Sequence, residues 1–130
     1  MIAYLRGEPG ADEVESRLED DSEPCLAHAV NICEVYYKAM ERSGEEAAES
    51  AIRDLRGQGL EVSEQLSERF WRDVARHKAT MNSVPLADWF VVVLTMHLNA
   101  AGLEAEAVTA DHPDFDPVAE RGLCPVMFIR

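Results

Sequence analysis

Basic residues are scarce in this chain: 12 lysines and arginines stand against 25 aspartates and glutamates, a formal net charge of −13. So acidic a chain cannot hold a phosphate backbone by its overall field, because counterion release needs clustered cations. If nucleic acid is a partner, a metal ion or a local basic stripe must mediate the contact. Cysteine is also rare. Cys25, Cys33 and Cys124 are odd in number, widely spaced and without a C-x-x-C pair. That argues against a structural zinc site or a disulfide framework and fits apolar thiols in a reducing cytoplasm. No Gly-rich phosphate loop occurs. Long apolar runs are missing as well: the longest stretch, Trp89 to Met96, is far short of the roughly 20 residues of a membrane span. The opening Met1-Ile2-Ala3-Tyr4-Leu5-Arg6-Gly7 has neither the basic region nor the apolar core of a secretory signal. These absences leave a cytoplasmic protein with no membrane partner.

What is present fits one domain over residues 1–130, with 47% apolar residues and enough length for a real core. Seven glycines and six prolines are too few for a linker. Helical and extended patterns alternate. Ala11 to Leu18 reads as a helix, Pro24 to His28 as a strand, and Ala29 to Arg42 as a helix with Ile32, Val35, Tyr36 and Ala39 inward. Ser43 with Glu46 reads as a capping box opening a helix that ends at Gly57 and Gly59. Leu60 to Ser63 is a second strand, and Leu66 to Thr80 an amphipathic helix burying Phe70, Trp71 and Val74. Asn82 or Ser83 is expected to cap the next helix, with Pro85 in its first turn, and that helix is apolar nearly all round to about Ala101. Glu106 to Thr109 and Cys124 to Ile129 complete four strands. This alternation argues for a parallel sheet covered on both faces.

Most acids must be solvated surface charge; a few sit where an acid is out of place. Glu34 lies within Val30-Asn31-Ile32-Cys33-Glu34-Val35-Tyr36-Tyr37, just after a strand. Asp88 lies in the first turn of the most hydrophobic helix. Asp111 follows a strand directly, with Asp114 and Asp116 close behind. Ligands of open parallel sheets bind beyond the carboxyl ends of the strands, where Glu34 and Asp111 are expected. Carboxylates converging there with no Lys or Arg beside them would repel one another. A hard cation with oxygen ligands, Mg²⁺ or Mn²⁺, resolves the repulsion.

The segments Ile2 to Gly10, Asn31-Ile32-Cys33-Glu34-Val35-Tyr36-Tyr37-Lys38, Leu86-Ala87-Asp88-Trp89-Phe90 and Thr109-Ala110-Asp111-His112-Pro113-Asp114-Phe115-Asp116-Pro117-Val118 resemble the PIN-domain nucleases. More narrowly, they are similar to the VapC toxins of bacterial toxin–antitoxin pairs, in order and over essentially the whole chain. The resemblance implies a three-layer α/β/α fold with a parallel sheet and a metal-dependent endoribonuclease using Mg²⁺ or Mn²⁺. It implies single-stranded or tRNA-loop RNA as substrate, a VapB-type antitoxin as inhibitor, and a homodimer. Carried over by position, Glu34, Asp88 and Asp111 match the family's catalytic, metal-ligating acids, and Asp114 or Asp116 could supply the last ligand. One departure stands out. Family members begin with a hydrophobic strand ending in Asp, which would precede Met1 here, so the chain is expected to lack its first strand and to be less stable and less active than a longer one.

Other candidates weigh less. Arg69, Arg72, Arg76 and Lys78 form a basic stripe that reads more readily as a solvated helix face than as a phosphate track. His28, His77, His97 and His112 show no ligand spacing, although His112 adjoins Asp111. The Thr109 hydroxyl reads as an ordinary strand side chain or as one that orients a metal-bound water. Two further classes compete with the nuclease. One is a catalytically impaired module that binds its antitoxin without cleaving RNA. The other is a phosphorylated receiver domain, disfavoured because Leu60-Glu61-Val62-Ser63 ends in no Asp and no Lys follows Lys78.

Overall fold

Seven helices and four short strands alternate along residues 1–130, all of which the computed structural model describes. In order they are α1 (Ile2–Arg6), α2 (Ala11–Glu19), β1 (Cys25–His28), α3 (Ala29–Ser43), α4 (Glu45–Gly57), β2 (Leu60–Ser63), α5 (Glu68–Thr80), α6 (Leu86–Ala100), β3 (Ala107–Thr109), α7 (His112–Glu120) and β4 (Val126–Phe128). The mixed α/β class with parallel strands is the one the alternating pattern predicts. The strands form two separate pairs rather than one sheet: β1 pairs with β2, and β3 with β4, both parallel. Parallel partners need a crossover. The helices α3 and α4 supply it for the first pair, and α7 for the second.

Two compact units result, Met1–Glu64 with Ile129–Arg130, and Gln65–Phe128. In the first, Leu18, Ala27, Val35, Leu55 and Leu60 are buried, with Ile2, Val14, Ile32 and Ile52 among the half-buried side chains packed on them. A short helix, α1, precedes α2 in a stretch to which the sequence reading assigned no element. Gly10 is required where it stands: its φ is +94°, and an added Cβ would lie 2.8 Å from the Ile129 carbonyl oxygen. The Ser43 capping box does not form. Gly44 is the N-cap of α4 and no side chain caps it, because α3 runs through Ser43 and uses that residue as helix.

The second unit is built around α6. Trp89, Val92 and Val93 are fully buried there, as expected of a helix apolar on nearly every side. On α5, Ser67 caps the first turn by accepting from the Phe70 N–H, and Phe70 and Val74 face the core. Trp71, expected inside, is 45% exposed. It follows Phe70 by about 100° around the helix, and α5 turns the face that carries Phe70 and Val74, not Trp71, to the core. Neither Asn82 nor Ser83 caps α6. Pro85 occupies that position with no side-chain cap. The turn into β3 is clipped by Asn99, whose amide donates to the Ala105 carbonyl and accepts from the Ala105 N–H (2.9 and 2.7 Å).

Candidate functional site

The clearest concentration of unusual acids follows β3. Its backbone register sets Thr109 opposite Phe128, and the chain turns two residues later into α7. The Thr109 hydroxyl accepts from the Asp111 N–H at 3.0 Å, so its visible role is to fix that turn. Asp111 is the N-cap of α7: its Oδ1 accepts from the Asp114 N–H at 3.2 Å. Pro113 lies in the first turn, where its missing N–H does no harm. The cap brings the Asp111 and Asp114 carboxyls together. Burial first, and then the neighbouring Asp111 charge, push the Asp114 carboxyl above its ordinary pKa. Asp116 is drawn to another partner, lying 3.1 Å from Nδ1 of His112.

Asp88 is half-buried on the first turn of α6, where the helix dipole favours its charge. Glu34 lies on the second turn of α3, beyond the carboxyl end of β1 in the first unit. The expectation that no cation stands beside these acids fails at Glu34, which forms an ion pair with Lys38 one turn on. The cause is the i, i+4 spacing, which sets both side chains on one helix face. The hydrogen bond to Glu34 raises the Lys38 pKa. No three His, Cys, Asp or Glu side chains gather closely enough to hold a metal ion.

The basic stripe on α5 is largely spent locally. Arg72 pairs with Glu68 and lies over the Trp71 ring, Arg76 pairs with Asp73, and Lys78 donates to the carbonyls of Asn82 and Val84. Two pairings escaped the sequence reading. His97 Nε2 and Asp73 Oδ2 approach to 2.7 Å across α5 and α6, and that hydrogen bond chiefly lowers the Asp73 pKa. The His112 ring stacks on Phe128. Both join residues far apart in sequence, so spacing carries no trace of them. The helix α7 was missed as well, although Asp111-His112-Pro113-Asp114 carries the residues of an N-terminal cap before Phe115 and Val118. His28 takes the core role, fully buried and capping α3 through Nδ1, which accepts from the Val30 N–H.

Two open hollows, of about 590 and 560 Å³, are lined by none of these acids. Asp111 and Asp116 are exposed, and Glu34, Asp88 and Asp114 half-buried.

Residues 1–120 match the family described as PIN domain. The chain belongs to the PIN-domain family. No curated protein and no solved structure matches it significantly. PIN domains are generally nucleases, that is hydrolases, and the match runs through both compact units. The family's nucleases usually use divalent metals. The donor type at Asp111 and Asp114 fits such an ion: two carboxylates lie side by side, and burial first, then the Asp111 charge, raises the Asp114 pKa. Mg²⁺ commonly takes one or two carboxylates and leaves its remaining positions to water and phosphate. No helix of this PIN domain is long and apolar enough to cross a membrane.

Proposed function

We propose that this PIN domain is a single domain over residues 1–130 that acts as a metal-dependent endoribonuclease, the toxin of a VapC-type toxin–antitoxin pair. The observation that supports the reading is the Asp111–Asp114 pair, two crowded carboxylates at the carboxyl end of a strand in a chain that matches a nuclease family. Asp111 and Asp114 would hold Mg²⁺ or Mn²⁺, with Glu34, Asp88 and Asp116 as the further acids carried over from the family. The bound ion supplies charge neutralisation at the phosphodiester and activation of water for attack on phosphorus. The chain's own part is to hold donors in place. Thr109 fixes the turn, Asp111 caps α7, and the capped helix presents Asp114 beside it. An acidic surface repels RNA, so binding through a cation also answers the charge imbalance noted above. The proposed partners are RNA, a VapB-type antitoxin and a second copy of the chain, in the cytoplasm.

A second reading has its own support. Because Glu34 is neutralised by Lys38 and no three acids gather, the domain would be catalytically impaired and bind its antitoxin without cleaving. One experiment separates them. Single-stranded RNA is incubated with the protein in Mg²⁺, in Mn²⁺ and in EDTA, alongside Asp111→Asn, Asp88→Asn and Glu34→Gln. The nuclease reading expects metal-dependent cleavage that Asp111→Asn and Asp88→Asn reduce by two orders of magnitude or more. Absence of cleavage in both metals overturns the nuclease reading and leaves the second.

A further inference from the structure

We propose that the His112 ring is a stacking platform for an unpaired RNA base, and that it holds one nucleotide of the strand beside the Asp111–Asp114 pair. The inference rests on the nuclease reading above and adds to it a residue that holds the substrate.

Three observations carry it. The ring lies parallel to Phe128, with centroids 4.1 Å apart and planes 7° from parallel. Its edge is held by Asp116, 3.1 Å from Nδ1. Held on one face and at one edge, the side chain is nonetheless 49% exposed. The backbone explains the placement. Thr109 pairs with Phe128 across the β3–β4 ladder, and three residues later the first helical position of α7 carries His112. Phe128 in turn packs against the core of this unit, so the platform has a rigid floor.

The surroundings select the ligand. Asp111, Asp114 and Asp116 repel a phosphate that arrives without a cation, whereas the face of a neutral base meets no such penalty. An aromatic ring already clamped loses little freedom when a base settles on it. Base–aromatic stacking is tolerant of sequence, and losing one contact weakens binding roughly 5- to 150-fold.

The test uses single-stranded RNA oligonucleotides carrying 2-aminopurine at one position each, bound in Ca²⁺ to the whole chain and to His112→Ala and His112→Phe. Stacking predicts quenching at one position for the native protein. It predicts loss of that quenching and a 5- to 150-fold weaker complex for His112→Ala, with both kept in His112→Phe. The phenylalanine variant also guards against misfolding, since it fills the same place on Phe128. Equal binding and quenching by His112→Ala would overturn the proposal, as would equal losses in both variants, which would assign the effect to the Asp116 pairing. If the native protein neither binds nor cleaves any RNA, the nuclease reading falls with it. If it cleaves RNA and His112→Ala cleaves with the same kcat/KM, the stacking role alone is overturned.

Discussion

The two compact units bury their apolar residues very differently. In Gln65–Phe128 the core holds Trp89, Phe70, Val84, Val92, Val93 and Val118, all fully buried, whereas in the other unit Ala48 is fully buried and Leu55 and Val35 are 1% and 3% exposed. Their acids differ as well. Glu34 in the first unit has a cation one turn away, while Asp111 and Asp114 in the second have each other. Two acids that the sequence places just after a strand thus end beside different partners, one a cation and the other a carboxyl. The difference lies in which side chain stands one turn further along.

Four predictions sharpen or break this comparison. The largest effect is expected at Trp89. Trp89→Ala should cost about 3–5 kcal/mol, much of the stability a domain of this kind has. Leu55→Ala in the first unit should fall near the lower end of the ~2–5 kcal/mol range for such truncations, because half-buried neighbours can close over the gap. Chemical denaturation of both variants checks the order. Equal losses would erase the contrast between the cores.

Next is thiol reactivity. Burial pushes the Cys124 thiol up to about 11, while Cys33 is exposed and Cys25 is partly buried with a raised pKa. Alkylation near pH 8 should therefore modify Cys33 first and Cys124 last, as peptide mass mapping would show. Modification of Cys124 ahead of Cys25 would mean that the second unit opens more readily than its core suggests.

The acids supply a pH contrast. The Asp73 pKa is lowered, first by the hydrogen bond with His97. Its contribution is present above the unfolded value and is lost as pH falls through the lowered pKa. The Asp114 pKa is raised, so its folded form binds the proton more tightly, and stability declines as pH rises from the ordinary carboxylate value through the raised one. Melting temperatures across acid pH should show Asp73→Asn flattening the lower window. Asp111→Asn should shrink the upper one in part, since burial remains. The smallest effect is expected at the Glu34–Lys38 pair. Lys38→Met should change stability by about 0–1 kcal/mol, as surface ion pairs do, and a larger loss would mark the pair as structural.

Much of this was legible beforehand. β2 stands where the pattern of Leu60 to Ser63 sets it, and α6 has the burial its composition demands. Of the acids after β3 that the sequence sets apart, Asp114 has a pKa raised first by burial and then by Asp111. Trp71 is 45% exposed although it neighbours buried Phe70, because α5 turns only its Phe70–Val74 face to the core. Glu34 was misjudged because the flanking apolar residues were weighed and Lys38, four residues on, was not.

Periodicity, turn residues and charge balance are local properties, and from them the sequence alone determined the alternation of helices with parallel strands, the apolar α6 and the net charge of −13. Pairings between distant residues were decided by the tertiary structure: β1 with β2 and β3 with β4, His97 with Asp73, His112 on Phe128. Each joins groups whose separation along the chain says nothing of their distance in space, and only the packing of elements into a core brings them within reach.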